Sequence, residues 1–286
     1  MSEDFLKVSD GIVGTCQEVE RRYVRVTSQP DPRTVRPEPV LREALARVQE
    51  RERKGRDYEE CQDLYMSICQ DLRLQQLDGP LAIEVRESFA QCAMRARTGP
   101  PDGAKGMDVK ALSDSLLHLQ ALYAQHPGQP RELEFALYRM LLWLALAQDA
   151  GPEQQTGWVS LAPATAALLP HRAAPLARFG LDVLAAVTAA DSARYFALAA
   201  VPPVGAAEAR HILETLLTPP VRARAYAALL KAYKMKFPCG ALQRRLGLPS
   251  REAAAAWARA RGGVLVADGA DEALDLDAFK ASKAPA

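Results

Sequence analysis

The chain has 286 residues, of which 49% are hydrophobic and 25% charged, and its formal net charge at pH 7 is +1. A chain of this length and apolar content can bury a substantial core, either as one elongated domain or as two in series. The near-zero net charge excludes the global positive field that is typical of a strongly basic nucleic-acid binder.

Positive charge is instead concentrated near the carboxyl end. Residues 221–262 contain ten lysines and arginines and one acid, Glu252, which gives a net charge of +9, whereas residues 1–220 have a net charge of −5. A local block of this kind indicates either a contact surface for an anionic partner or a solvated face.

Cysteine usage and hydropathy favour a reducing compartment. The five cysteines are odd in number and show no C-x-x-C spacing, which argues against a disulfide framework and against a zinc ribbon. The first residues, MSEDFLKV, lack the apolar stretch of a signal peptide, and the most apolar run, residues 140–147, is too short to span a bilayer. We therefore predict neither secretion nor membrane insertion.

The first predicted element is a helix that carries the chain up to Tyr23. Apolar side chains recur there at helical spacing, and they are Ile12, Val13, Cys16, Val19 and Tyr23. Prolines then stop the helix, because each lacks a backbone N–H and fixes φ; they are Pro30, Pro32, Pro37 and Pro39. A second helix is predicted from Pro37, with one apolar face formed by Val40, Leu41, Ala44, Leu45 and Val48.

The proline-rich stretch between these helices has two interpretations. Its composition is typical of a surface loop. Several of its side chains are instead of the kind that packs against other elements, and these are Tyr23, Val26, Thr27, Thr34 and Val35. We also expect Arg25 and Arg36 to pair with a carboxylate, such as Asp71 or Glu84, and so to fix the stretch onto the helices that follow.

The same stretch carries a family resemblance. It is similar to the signature of the SAC/GANP family at Tyr23, Arg25, Val26, Thr27, Pro30, Asp31, Pro32, Thr34, Val35, Arg36 and Pro37. Residues 13–17 upstream and residues 67–75 downstream are similar to the branch called leukocyte receptor cluster member. Members of the family resemble germinal-centre-associated nuclear protein, a messenger-RNA export scaffold. The resemblance therefore implies a non-catalytic scaffold of nuclear messenger-RNA metabolism.

Helical periodicity continues through the middle of the chain. Helices are predicted over about 58–74, 81–96, 112–123, 131–148, 176–184, 193–200 and 211–217. Short breaks with glycine or proline separate them, including a Gly/Pro-rich loop over 98–106 and the pair Pro219-Pro220. This succession predicts a mainly α fold, a right-handed α-solenoid in which each helical pair buries its apolar face on its neighbours.

The C-terminal portion has a different pattern. Three helices are predicted over 222–236, 240–246 and 250–261, and the alternating segments 264–267 and 273–276 suit a β-hairpin. Three helices followed by a hairpin predict a winged helix. Helical repeats that end in a winged helix make up the PCI architecture, which the family resemblance also implies.

The predicted divisions of the chain follow from these patterns. Residues 1–56 hold the N-terminal helix, the signature stretch and the first repeat helix. Residues 57–220 form the helical-repeat region, and residues 221–286 form the winged-helix subdomain with a short tail.

The sequence contains no motif for catalysis or for a cofactor. Its four histidines are far apart, with no carboxylate or cysteine at metal-ligand spacing. Neither a glycine-rich phosphate-binding pattern nor a G-x-S-x-G nucleophile motif occurs. We predict no enzymatic activity, no metal and no cofactor.

The basic block is the one feature of the sequence that resembles a binding site. If its cations project from the C-terminal helices, they can contact phosphates of a nucleic acid; the candidates are Lys231, Lys234, Lys236, Arg244, Arg245, Arg251, Arg259 and Arg261. The alternative is that they keep an alanine-rich helix in solution or pair with acids. Few aromatic residues lie among them, so base stacking should be minor and sequence preference weak. Trp257 is expected to anchor the third helix in its small core.

The resemblance implies partners as well. They are a second PCI-domain protein, a small acidic protein similar to Dss or Sem, and RNA or DNA bound by paired winged helices in the nucleus, with the cytoplasm as a second location. The predicted partner interface is the wing, with Val264, Leu265, Val266, Leu274 and Leu276.

Two alternative functions stay open. One is a purely protein-binding PCI subunit of a proteasome-lid, signalosome or initiation-factor-like assembly. The other is an enzyme, which would need a deep polar pocket with coupled titratable groups.

Overall fold

The structure is a computed structural model, and it describes residues 12–26, 30–96, 106–148, 154–233, 236–268 and 271–276. The fold is mainly helical, with a small antiparallel sheet. The helices of the described residues are α1 (Glu38–Arg53), α2 (Tyr58–Leu74), α3 (Pro80–Arg95), α4 (Val109–Gln125), α5 (Glu132–Gln148), α6 (Gln154–Leu168), α7 (Pro175–Thr188), α8 (Ser192–Ala200), α9 (Ala209–Ile212), α10 (Thr218–Ala232), α11 (Cys239–Leu246) and α12 (Arg251–Arg259). The strands are β1 (Lys236–Pro238), β2 (Val264–Asp268) and β3 (Asp271–Asp275).

The chain divides into two compact units between Arg139 and Met140, within α5. The first unit contains α1 to α4, and the second contains α6 to α12 and the sheet. The divisions predicted after residues 56 and 220 stay a prediction.

In the first unit, consecutive helices pack against each other through the apolar faces that their periodicity predicts. On α1, all five predicted core residues are buried, and they are Val40, Leu41, Ala44, Leu45 and Val48. Between α2 and α3, the rings of Tyr65 and Phe89 stack with centroids 5.1 Å apart. The prediction that α5 is a buried helix is confirmed, because its side chains from Phe135 to Ala147 are buried except for Ala136.

The N-terminal helix predicted over Ile12 to Tyr23 is wrong, because residues 12–26 are not helical. Their backbone N–H groups donate to distant carbonyls: Thr15 N to Pro32 O and Cys16 N to Val35 O, each at 2.9 Å. A helix would need those N–H groups for its own carbonyls four residues back. Gly14 permits the close approach, since a Cβ there would lie 2.3 Å from Val35 O. The helical spacing of the apolar residues is therefore a chance match.

In the second unit, the helices predicted over 211–217 and 222–236 are one continuous helical stretch, so the predicted break at Pro219-Pro220 is wrong. A π-helical turn over Leu213–Leu217 joins α9 to α10, and its wider spacing avoids the clash of a proline ring with the carbonyl four residues back. The Tyr195 hydroxyl lies 2.8 Å from Thr218 Oγ1 and donates to Leu213 O at 3.3 Å. This tyrosine thereby satisfies polar groups at the irregular turn.

Residues 218–276, which we call the C-terminal module, combine α10, α11 and α12 with the sheet. Within the described residues the strand order is β1-β3-β2, and Asp275 of β3 is opposite both Lys236 and Val264. One apolar core lies between helices and sheet and contains Tyr226, Leu229, Phe237, Leu242, Leu246, Ala254, Ala258, Leu274 and Leu276.

The turn predicted between the last two helices is present. Gly247 ends α11 with φ of +59°, and Ser250 caps α12 by accepting a hydrogen bond from Ala253 N at 3.1 Å.

Some predictions concern residues that the structure does not describe. The loop predicted over 98–106 lies outside the described residues except for Gly106. Thr27, Lys234 and the tip of the predicted hairpin at residues 269–270 also lie outside them.

Candidate nucleic-acid interface

The predicted cations of the basic block are exposed wherever the structure describes them. These are Lys231, Lys236, Arg244, Arg245, Arg251, Arg259 and Arg261, while Lys234 lies outside the described residues. Packing explains the exposure. On α11, Leu242 and Leu246 enter the core, so Arg244 and Arg245 face solvent; on α12, Ala254 and Ala258 enter the core instead of the arginines.

Internal acids neutralise only part of this charge. Arg259 forms an ion pair with Glu272 of β3, with Nη2 2.5 Å from Oε1. An exposed pair of this kind contributes little to stability. Within the described residues, Lys231, Lys236, Arg244 and Arg245 make no ion pair. The module therefore keeps several cations that an external anion can neutralise.

The hairpin next to these cations is acidic, which the sequence reasoning missed. Residues 263–276 contain Asp268, Asp271, Glu272 and Asp275 and no lysine or arginine. The signal was visible in the sequence, because the acids directly follow the basic block. Negative charge on β2 and β3 repels a polyanion, so the favourable approach is along the helices rather than along the hairpin.

The predicted partner interface on the wing needs a correction. Leu274 and Leu276 are fully buried in the core of the module, so they cannot contact a partner while the module is folded. Alternation along a strand does not show which face is internal until the strand has a neighbour. Leu265 packs against the same core, Val266 is half-buried, and Val264 is 39% exposed.

Trp257 packs against the core of the module, as expected for an anchor of α12. Its ring meets the ring of Tyr226 edge-on, with centroids 5.0 Å apart. The guanidinium of Arg261 lies over the indole, with Cζ 3.8 Å from the ring centroid. Trp257 therefore contacts both the core residue Tyr226 and the exposed cation Arg261.

In the first unit, the signature stretch is fixed by one buried arginine. Arg36 is fully buried, and its Nε donates to Asp71 Oδ2 at 2.6 Å. Its Nη1 donates to Val19 O at 2.9 Å, and its Nη2 donates to Ser67 Oγ at 2.7 Å. The predicted pairing with Asp71 is confirmed, although the contact uses one carboxylate oxygen and is not bidentate. The guanidinium thus joins the stretch to α2.

Side chains of α2 hold the rest of the N-terminal stretch by its backbone. Gln75 accepts from Gly14 N at 3.0 Å and donates to Arg36 O at 2.8 Å. Asp63 accepts from Tyr23 N at 3.2 Å, and Gln70 donates to Val24 O at 2.9 Å. These partners are 39 to 61 residues away in sequence, so local periodicity could not reveal them.

Other signature residues have different roles from those expected. Arg25 is exposed and makes no ion pair or hydrogen bond within the described residues, so its predicted pairing with a carboxylate is wrong. Thr34 is also exposed, and its hydroxyl donates to Asp31 O at 2.7 Å in the turn over Pro32–Thr34. Tyr23 and Val26 are each 37% exposed, whereas Val35 is buried.

Two kinds of feature are absent from the described residues. They contain no group of three or more histidine, cysteine, aspartate or glutamate side chains that could hold a metal ion. Among the described helices, none combines the length and apolarity needed to cross a membrane.

Fold and surface together define a class: a mainly helical protein whose C-terminal module presents lysines and arginines to solvent. The family comparison is specific. The model of the SAC3/GANP family matches residues 18–265, and the chain belongs to this family. The resemblance noted in the signature stretch is thereby confirmed.

Curated relatives agree with this assignment. SAC3 family protein A of Arabidopsis thaliana is 34% identical over 187 residues, which cover 65% of this chain and 16% of that protein. A THP3 homolog of Schizosaccharomyces pombe is 34% identical over 134 residues, or 46% of this chain and 31% of that protein. A leukocyte receptor cluster member 8 homolog of Xenopus laevis is 33% identical over 133 residues, or 46% of this chain and 15% of that protein. The chain thus spans less than a third of the length of each of these relatives.

Proposed function

We propose that this chain is a non-catalytic, PCI-type scaffold of nuclear messenger-RNA processing or export, and that its C-terminal module contributes half of a nucleic-acid-binding platform. Membership of the SAC3/GANP family and the similarity to THP3 homologs support the messenger-RNA role. The observation that carries the nucleic-acid role is the set of exposed cations on α10, α11 and the start of β1 that form no ion pair within the described residues.

The module is proposed to be a winged helix. The support is the order of its elements, helix, strand, helix, helix and a two-stranded hairpin, with β3 between β1 and β2. Such a module presents one helix face and one hairpin to a duplex or a folded strand. Because the hairpin here is acidic, the contact would be made by the helices. The preceding helices are proposed to stack as a right-handed α-solenoid.

The partners proposed for the scaffold are a second PCI-domain protein and a small acidic protein similar to Dss or Sem. Val264, Leu265 and Val266 on β2 are the remaining candidates for the partner surface, since Leu274 and Leu276 are internal. The proposed location is the nucleus, with the cytoplasm as a second location.

The double variant Arg244→Glu/Arg245→Glu tests the nucleic-acid role. Both side chains are exposed and without an ion pair in the described part of the chain, so reversing their charge should leave folding intact. We expect the affinity of the partner-bound complex for a single-stranded oligoribonucleotide to fall about tenfold or more. The slope of log K against log salt should become shallower by about 0.7 for each phosphate contact that is lost. Fluorescence anisotropy from 50 to 200 mM salt measures this slope. Unchanged affinity and slope would contradict the proposal.

A second candidate is a protein-binding PCI subunit that does not contact nucleic acid. The ion pair between Arg259 and Glu272 favours it, because this cation already has an internal partner. In that case Arg244→Glu/Arg245→Glu would leave RNA binding unchanged. It would instead lose a protein partner in a pull-down with mass spectrometry.

A further inference from the structure

A charged cleft lies at the carboxyl end of α1, within the first unit of the chain. Its volume is ≈ 190 Å³, and every described residue that lines it is charged. The lining residues are Arg47, Arg51, Lys54, Arg56, Glu20 and Glu50. Four cations against two acids give this lining a formal net charge of +2.

The way α1 ends explains why these cations share one cleft. Arg47, Arg51 and Lys54 are separated by four and three residues, so they lie on one face of the helix. Gly55 then reverses the chain with φ of +70°, and Arg56 N donates to Arg51 O at 3.1 Å. This is a glycine-terminated cap, in which the second residue after the helix bonds a carbonyl of the last turn. The backbone of Arg56 is thereby held against the end of α1.

Capping of the helix does not account for the cations themselves. Backbone N–H groups already bond the last carbonyls, since Lys54 N donates to Glu50 O at 3.0 Å and Gly55 N donates to Glu52 O at 2.9 Å. Among the described residues, no lysine or arginine side chain of the cleft donates to a backbone carbonyl. The positive charge is therefore not used to satisfy the end of the helix.

Acidic side chains offset part of this charge. The ion pairs are Arg51–Glu20 at 2.5 Å, Arg51–Glu60 at 3.7 Å, Lys54–Glu50 at 2.7 Å and Arg47–Glu43 at 3.2 Å. Each of these side chains is at least 34% exposed. Exposed pairs of this kind contribute little to stability, so an external anion can compete for the same cations.

Arg56 differs from the other three cations. It is exposed, and its side chain forms no ion pair or hydrogen bond within the described residues. A guanidinium donates paired hydrogen bonds to the oxygens of a phosphate or a carboxylate. Arg56 therefore offers an anion in the cleft a contact for which no internal acid competes.

The charge of the lining favours one kind of anion. A phosphate monoester carries about −1.5 to −2 at pH 7, which is close to the opposite of the lining charge, and its three oxygens can accept from different cations. An extended polyanion such as RNA would also meet the exposed acids Glu43 and Glu60 beside the cleft. Residues 1–220 moreover have a net charge of −5. A compact dianion avoids most of this repulsion.

We propose that the cleft at the end of α1 is a binding site for a phosphate monoester, supplied either by a phosphorylated serine or threonine of a partner protein or by a free sugar phosphate. The hydrogen bonds and charge come from Arg47, Arg51, Lys54 and Arg56. The site does not rest on the nucleic-acid function proposed above, because its residues belong to the other unit.

The first arm of the test uses the full chain and O-phosphoserine, with serine as the uncharged probe, in NMR titrations at constant ionic strength. O-phosphoserine should bind and serine should not. Arg56→Gln should weaken the binding about tenfold, the value expected for one charge-assisted contact. The matched control is Arg53→Gln, which should bind like the unchanged chain. Arg53 is exposed on the same helix, forms no ion pair within the described residues and does not line the cleft.

The second arm predicts a gain of affinity. Glu50→Gln removes one acid from the lining, so O-phosphoserine should bind about threefold more tightly, the effect of one unit charge a few ångströms away in water. If these side chains only stabilised α1, removing the acid would not tighten the binding of a phosphate. Circular dichroism of each variant confirms that the chain is folded.

The third arm distinguishes the two sources of the phosphate. Its probes are glucose 6-phosphate and a labelled five-residue peptide of glycine with one central phosphoserine. Tighter binding of the peptide supports a phosphorylated protein as the ligand, and tighter binding of glucose 6-phosphate supports a free sugar phosphate. Equal affinities support the site, with recognition limited to the phosphate group.

The outcomes keep this site apart from the nucleic-acid function. The site is overturned if O-phosphoserine binds no better than serine, or if Arg56→Gln and Arg53→Gln lose the same affinity. It is also overturned if Arg56→Gln weakens RNA binding while O-phosphoserine does not bind, because the cleft would then contact nucleic acid. Unchanged RNA affinity in Arg244→Glu/Arg245→Glu contradicts the nucleic-acid function and leaves the phosphate site in place.

Discussion

Arg36 in the first unit and the arginines of the C-terminal module show two opposite uses of the same side chain. Arg36 is fully buried, and each nitrogen of its guanidinium donates to a different partner. Arg244 and Arg245 are exposed and have no ion pair in the described part of the molecule. A satisfied, buried guanidinium stabilises the fold, whereas an exposed one without a counter-ion is available to a ligand.

The largest expected effect is on the buried side of this comparison. Arg36→Ala removes the contacts that fix the N-terminal stretch to α2 and leaves Asp71 buried without its cation. We expect the free energy of unfolding to fall by about 3–5 kcal/mol, the usual cost of breaking a buried pair. Urea unfolding followed by circular dichroism measures it, and the RNA affinity of the folded fraction should not change.

Arg25→Ala is the control for Arg36→Ala, because Arg25 belongs to the same signature stretch but is exposed. Its free energy of unfolding should change by no more than about 0.5 kcal/mol. Equal losses in the two variants, or a loss of RNA affinity in folded Arg36→Ala, would break the distinction between buried and exposed arginines.

A smaller loss of stability is expected when the packing that positions the cations of the C-terminal module is disturbed. Gly247 has φ of +59°, and a Cβ there would lie 2.4 Å from the ring of Phe196. Gly247→Ala should lower the free energy of unfolding by about 2–3 kcal/mol, from backbone strain together with overpacking. Thermal and urea unfolding measure the loss.

Gly205→Ala provides the matched control. Gly205 also has positive φ, +89°, but no atom lies within 4 Å of the position that its Cβ would take. Its loss should therefore be limited to backbone strain, about 1 kcal/mol. If both variants lose the same amount, the contact between Gly247 and Phe196 contributes nothing to holding α11 in place.

The features that could be predicted from the sequence are those that depend on the spacing of residues within one helix or turn. The apolar face of α1, the buried helix α5 and the turn at Gly247 all follow from periodicity and capping. Arg36 could be chosen as a carboxylate partner, yet nothing local separates it from Arg25. Only the position of Asp71 on α2 does so.

Tertiary contacts decide the features that sequence reasoning missed. Residues 12–24 have helical spacing, but their backbone hydrogen-bonds the α2 side chains Gln75, Asp63 and Gln70 and is not helical. At the π-helical turn, the Tyr195 hydroxyl contacts Leu213 O and Thr218 Oγ1, which lie 18 and 23 residues away in sequence. Arg222 donates hydrogen bonds to the carbonyls of Leu246 and Gly247, which lie 24 and 25 residues away in sequence.

The central claim is that RNA binds the cationic helices of the C-terminal module. Hydrogen–deuterium exchange of the full chain, with and without a saturating single-stranded oligoribonucleotide, tests it most directly. The account predicts slower exchange in peptides from residues 222–261, with no change in the hairpin at 264–276 or in the Arg36 region at 30–75. Protection confined to the first unit or to the hairpin, while RNA is bound, would contradict it.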